Sequence, residues 1–164
     1  LLNAKEQATM SIEPFRQLIV EFTRSLAGRA LDDDLEHWLN REHGPGSATY
    51  ERLRQACLDG VAEGWMCGRE HAGIRYGRVI KPADDTARFS VDVVDMDEVA
   101  GGHHVHPLGE IDLVMPLRGD ARLNGHGAGW WVCPPGSAHV PAVSGGRALV
   151  LYLLPEGQIE FTQR

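Results

Sequence analysis

Cysteine is scarce in this 164-residue chain, with Cys57, Cys67 and Cys133 as its only three. The number is odd, the spacings are wide and no Cys-x-x-Cys occurs. That argues against a disulfide framework and against a cysteine zinc site, and it points to a reducing, cytoplasmic compartment. Basic charge is also in deficit: Lys plus Arg is 16 against 23 Asp plus Glu, a formal net charge of −7. No basic excess exists to neutralise the phosphates of a nucleic acid. No apolar run approaches the ~20 residues of a membrane-spanning helix. Lys5 and Glu6 stand where the apolar stretch of a secretory signal would lie. Missing too are a Gly-x-Gly-x-x-Gly opening a helix and a P-loop, the marks of dinucleotide and nucleotide sites.

What is present is an ordinary globular composition, 43% apolar and 24% charged, in a length that suits one domain. Three parts are expected. Residues 1–9 read as added leader sequence before a native start at Met10, with a natural N-terminal arm as the alternative. Residues 10–64 read as a helical segment packed on a barrel formed by residues 65–164. Within the helical segment Phe15, Leu18, Ile19, Phe22 and Leu26 recur at three- and four-residue steps. Ser11 suits the cap of that helix, Pro14 its first turn and Gly28 its end. Asp32 and Ser47 suit the caps of two further helices, separated by Gly44-Pro45-Gly46 and closed near Gly60 or Gly64.

After Gly64 the period falls to two. Strands are expected at Ile74–Ile80, Phe89–Met96, Val105–Leu117 with a turn inside, Ala121–Leu123, Gly129–Cys133, Arg147–Leu154 and Gln158–Phe161. Arg118-Gly119-Asp120, Gly125-His126-Gly127 and Ser144-Gly145-Gly146 read as turns between them. With no helix between strands, an antiparallel sandwich or barrel is expected rather than a parallel sheet.

The chemistry concentrates in Gly102-His103-His104-Val105-His106-Pro107-Leu108-Gly109-Glu110. His104 and His106 are two apart, so a strand points both to one face. The Pro-Leu-Gly turn can fold Glu110 back towards them, and His139 ends the turn Pro134-Pro135-Gly136-Ser137-Ala138-His139. Three imidazoles and a carboxylate suit Mn²⁺, Fe²⁺, Ni²⁺ or Zn²⁺ with positions left open for water or substrate. The alternative is a metal-free pocket in which the same four residues bind a ligand directly. His103 has the opposite parity and should face away. Asp112 shares the parity of Glu110, either as a second cavity carboxylate for proton transfer or as an acid at the barrel mouth. Ile111, Leu113 and Met115 should pack in a core or a subunit interface. Arg78 shares a face with Ile74, Tyr76 and Ile80, where it can anchor an anion or reach solvent. Only one of Trp130 and Trp131 can point inward; Trp131 is assigned to the pocket, with core filling as the alternative.

His104-x-His106-x-x-x-Glu110 followed by Pro134-x-Gly136-x-x-His139 resembles the two metal motifs of the cupin superfamily. The sequence departs from that pattern in two places. The glycine after the glutamate comes late, as Gly119, and no asparagine follows the last histidine. The resemblance implies a cupin-type antiparallel β-barrel, or jelly roll, in a mostly β chain with an N-terminal helical segment. It also implies that His104, His106, Glu110 and His139 are metal ligands.

A wider pattern is similar to the 4-hydroxylaminobenzoate lyases of bacterial nitroaromatic degradation. It comprises Gly46–Leu53, Arg75–Pro82, His104–Asp112 and Gly145–Pro155. This resemblance implies conversion of 4-hydroxylaminobenzoate and water to protocatechuate and ammonia, with no external redox cofactor. For such a reaction the strand parities above make Glu110 and Asp112 the candidate proton carriers, and Arg78, Tyr76 and Trp131 the candidate contacts to a small aromatic acid, with Arg78 holding its carboxylate. The resemblance also favours a homodimer, in which paired edge strands are covered. Two other classes stay open on the residues alone. A metal-dependent cupin dioxygenase on an aromatic acid would consume oxygen, and a non-catalytic small-molecule-binding cupin would bind without turnover.

Overall fold

The computed structural model describes residues 4–162. Three helices come first: α1 (Ala4–Arg24), α2 (Asp33–His43) and α3 (Ala48–Glu63). Helix α1 crosses Met10 without a break, so Ser11 and Pro14 lie inside it rather than at its cap and first turn. Residues 1–3, the first part of the expected leader, lie outside the described residues. The other two helices start as expected. Asp32 accepts from the Leu35 amide at 2.9 Å, and Ser47 Oγ accepts from the Tyr50 amide at 3.2 Å. Each bond satisfies an amide that the first helical turn leaves without a partner.

The strands are β1 (Arg69–His71), β2 (Ile74–Ile80), β3 (Phe89–Asp97), β4 (His104–His106), β5 (Glu110–Leu123), β6 (Gly129–Cys133), β7 (Ser137–His139), β8 (Val143–Pro155) and β9 (Glu160–Phe161). They form two antiparallel sheets, one of six strands in the order β1-β2-β3-β8-β5-β6 and one of three in the order β7-β4-β9. The result is a jelly roll of two sheets, not one continuously hydrogen-bonded barrel.

Two expected turns prove to be bulges within long strands. Gly119 pairs with Gly146 where β5 and β8 slip register. A Cβ on Gly146 would overlap the Arg118 carbonyl, and one on Gly119 would overlap the Gly145 carbonyl. The glycines permit a close crossing and a bend rather than a chain reversal.

Strand alternation sorts the large sheet into two faces. Ile111, Leu113, Met115, Leu149, Leu151 and Leu153 are fully buried on the face that meets the helices. There they pack in one core with Phe15, Ile19 and Phe22 of α1, Leu35 and Leu39 of α2, and Leu53 and Cys57 of α3. Helix α2 also caps one sheet edge. Asn40 donates to the Trp130 carbonyl and accepts from its amide, both at 2.8 Å, and Glu36 accepts from the Val132 amide at 2.8 Å. Its side chains take the place of a seventh strand, which removes an exposed edge.

Candidate metal centre and active site

The opposite face of the large sheet carries the chemistry. Its register sets Arg78 beside Asp92, Asp92 beside Tyr152, Tyr152 beside Asp112 and Asp112 beside Trp131. One row across five strands therefore holds three of the expected site residues and adds Asp92 and Tyr152, which sequence reasoning missed. Alternation within Val91-Asp92-Val93 and within Leu151-Tyr152-Leu153 was the available signal.

The three-stranded sheet supplies the histidines. His104 pairs directly with His139 across β4 and β7, and His106 pairs with Ser137. Glu110 opens β5 after a turn in which Gly109 adopts φ +92°. A Cβ there would come within 2.8 Å of the Cys133 carbonyl oxygen and of Leu31, so the tight return needs glycine. The expected four residues thus converge. The three imidazole centroids are mutually 4.7 Å apart. One donor atom from each of His104, His106, Glu110 and His139 lies within 4.8 Å of the other three. Two donors each about 2.1 Å from one ion stand at most ~4.2 Å apart, so a small contraction closes this set around a metal.

The hydrogen bonds agree. His104 Nδ1 faces the Gly102 carbonyl at 3.3 Å, which can only accept. His106 Nδ1 lies 3.0 Å from Ser137 Oγ, whose single proton goes to the Pro134 carbonyl at 2.6 Å. Both rings must carry their proton on Nδ1, which leaves a lone pair on Nε2. Both Nε2 atoms are buried without a hydrogen-bond partner. The Nε2 of His106 lies 2.9 Å from Glu110 Oε2, but not in hydrogen-bond geometry. Unpaired buried polar atoms are costly, and these two nitrogens, converging with a Glu110 oxygen and a His139 nitrogen, make a mixed N and O set that fits a first-row ion. Burial, and for His104 and His139 the neighbouring histidines, lower the ring pKa values to about 4, 4 and 3 for His104, His106 and His139. The rings are neutral and ready to ligate.

Glu110 and Asp112 lie side by side and buried. Burial raises both pKa values, and the neighbouring Glu110 carboxyl raises Asp112 further. Asp112 Oδ2 has no hydrogen-bond partner. Cys133 shares this corner, but burial and the two carboxyls keep its thiol protonated. Tyr152 is likewise held as a neutral phenol by burial and by Asp92, Glu110 and Asp112.

Two cavities meet over this face. One of about 590 Å³ is lined by His104, Glu110, His139, Asp112, Tyr76 and Tyr152 among others. The second, of about 480 Å³, holds Arg69, Arg78 and Asp92. Tyr76, Tyr152, Ile159 and Phe161 line both.

The remaining expected residues are placed as follows. Arg78 gives Nε and NH2 to Asp92 at 3.2–3.3 Å and NH2 to the Gly157 carbonyl at 3.1 Å. Trp131 stacks on His139 with centroids 5.1 Å apart and does not line either cavity. Trp130 points the other way and stacks on Phe22 at 5.1 Å.

A jelly roll whose one strand supplies His-x-His, whose next supplies a glutamate and whose facing strand supplies a third histidine is a cupin with a metal-type donor set. Within that class, residues 17–161 match the family described as 4-hydroxylaminobenzoate lyase, and the chain belongs to that family. It is 40% identical over 151 residues to the 4-hydroxylaminobenzoate lyase of Nocardioides sp. (strain LMS-CY), covering 87% of this chain and 89% of that protein. It is 35% identical over 161 residues to the enzyme of that name from Pseudomonas putida, covering 88% and 92%. A DMSP lyase from Ruegeria pomeroyi has 16% identity and a TM-score of 0.48, with 82% of this chain and 77% of that one covered. Among the described residues no helix is long and apolar enough to cross a membrane.

Proposed function

We propose that this chain converts 4-hydroxylaminobenzoate and water to protocatechuate and ammonia. The observation that carries the reading is the 40% identity to a 4-hydroxylaminobenzoate lyase across nearly the whole length of both chains. The site supports it with a buried Asp112 carboxyl, its pKa raised by burial and by Glu110, beside four convergent ligand residues at the end of an aromatic-walled cavity.

His104, His106, Glu110 and His139 hold a divalent first-row ion of the Mn, Fe, Ni or Zn type, which supplies Lewis acidity towards the hydroxylamine end. Asp112 gives a proton to the departing hydroxyl, so the N–O bond breaks with loss of water. Its carboxylate then takes a proton from the water that adds to the ring carbon beside the nitrogen. A second water hydrolyses the resulting C=N bond and releases ammonia, and a ring proton moves to oxygen to restore the catechol. One water leaves and two enter, so the balance is one water consumed with no electron donor or acceptor.

The ring lies against Tyr76, Tyr152 and Phe161, with its carboxylate towards the arginine-bearing cavity of Arg78 and Arg69. Trp131 serves the site from behind His139. The chain works as a homodimer in the cytoplasm, in keeping with the open sheet edge at β1 and with three buried free cysteines.

The test is anaerobic incubation of the metal-loaded protein with 4-hydroxylaminobenzoate, following ammonia and protocatechuate together. Equal amounts of both without oxygen are expected. Product that appears only with oxygen overturns the lyase reading.

A further inference from the structure

We propose that Arg69, rather than Arg78, receives the carboxylate of the aromatic substrate; this rests on the lyase reading above. The two cavities divide the work that such a substrate demands. One is lined by His104, His139, Glu110 and Asp112, and the other contains two arginines. The four residues common to both, Tyr76, Tyr152, Ile159 and Phe161, give a flat apolar ring its walls. A para-substituted benzoate has the same order of parts: a reacting nitrogen, a ring and an anion.

Within the second cavity the arginines differ. The fork of Arg78 already holds Asp92, which is only 8% exposed. Taking Arg78 away from Asp92 would leave a buried carboxylate unpaired, at a cost that offsets what a substrate contact returns. Arg69 has no such commitment. Of the arginines borne on strands, Arg75 and Arg147 bind Asp95, Arg78 binds Asp92, Arg118 binds Asp97 and Arg122 binds Asp120. Among the described residues Arg69 alone of this set has no side-chain hydrogen bond or ion pair. It pairs with Tyr76 across β1 and β2, so its side chain leaves the sheet on the face of Tyr76, over the cavities. A free guanidinium at the end of an aromatic slot offers two parallel N–H donors to one carboxylate.

The experiment uses 4-aminobenzoate, which has the ring and the acid but no N–O bond to break, and its methyl ester. Calorimetric titration compares metal-loaded wild type with Arg69→Met, Arg69→Lys and Arg78→Met. Wild type should bind the acid more tightly than the ester. Arg69→Met should lose about 10- to 100-fold in affinity for the acid and leave the ester unchanged, with Arg69→Lys in between. Arg69 is exposed on an edge strand, so its variants should melt where wild type does. Arg78→Met should melt lower, because Asp92 is orphaned, yet keep the preference for acid. An intact preference in Arg69→Met, or its loss in Arg78→Met alone, overturns the proposal. Failure of the lyase reading is separate: wild type would release no ammonia from 4-hydroxylaminobenzoate, whatever the titrations show.

Discussion

His106 donates from Nδ1 to Ser137 Oγ at 3.0 Å, and this one contact fixes which nitrogen of the ring faces the other three ligand residues. The serine can serve only as acceptor there, because its proton is spent on the Pro134 carbonyl. The Pro-x-Gly-Ser turn therefore does more than deliver His139. It also sets the tautomer of a histidine on the neighbouring strand.

Ser137→Ala removes that control and leaves a buried ring free to turn or to change tautomer. Partners of ligating histidines are typically worth 10- to 100-fold in metal affinity. A fall of that order is expected in a competitive chelator titration, with the melting temperature of the metal-free protein nearly unchanged. Equal affinity in wild type and variant would show that packing alone orients His106.

His106→Ala and His139→Ala each remove one of four donors. Both proteins should lose most bound metal after dialysis, as read by elemental analysis. Metal retained in both would mean that it binds elsewhere.

Asp112 separates proton transfer from ligation. Asp112→Asn preserves shape but cannot pass a proton, so kcat should fall about 100-fold or more with metal content kept. Glu110→Gln should reduce both metal content and turnover. A fully active Asp112→Asn enzyme would place the proton donor elsewhere.

Local chemistry in the sequence was enough to place much of this architecture. Period-two alternation set β2 at Ile74–Ile80 and β6 at Gly129–Cys133, because each strand is bounded by a turn residue. Parity put Asp112 with Glu110 and turned Trp130 away from Trp131, since alternation in a strand needs no partner to be read. What depends on distant partners was hidden. Asp92 lies 14 residues from Arg78, and nothing local says that it occupies the arginine's fork. Gly119 and Gly146 look like turn glycines until two strands are seen to cross there. The edge strand β1 is short and exposed throughout, so no hydrophobic alternation marks it.

Asp95 offers a test of stability against pH away from the ligand cluster. Arg147 holds its two oxygens at 2.9 and 2.8 Å, and Arg75 reaches one at 2.6 Å. Burial raises its pKa, but the hydrogen bonds from Arg147 and Arg75 outweigh that, and the folded value lies below the ordinary one. A depressed folded pKa gives stability that is complete above the unfolded value of about 3.9 and is lost as pH falls through the folded value. Asp95→Asn should therefore cost roughly 1–2 kcal/mol at pH 7, the lower part of the usual range because both arginines are partly exposed. In urea melts at a series of pH values, the gap to wild type should narrow below about pH 4. A gap independent of pH would mean that the carboxylate charge contributes nothing.

Trp131 stands between two histidines, 4.1 Å from the His126 ring and 5.1 Å from His139, nearly parallel to both. It is absent from the walls of either cavity, so its route to the chemistry runs through His139. Stacking limits the tilt of a ligand ring, and a ring free to tilt presents its lone pair to the ion for less of the time. Trp131→Ala should weaken metal binding about 10-fold, and Trp131→Phe less, because a smaller aromatic still backs the imidazole. At saturating metal the KM of both should stay within about twofold of wild type. Fluorescence supplies a second readout. Titration with Co²⁺ should quench wild-type emission, and most of that quenching should vanish in Trp131→Phe, since this indole lies against a ligand ring. A KM raised tenfold at saturating metal, with metal affinity unchanged, would make Trp131 a substrate contact instead.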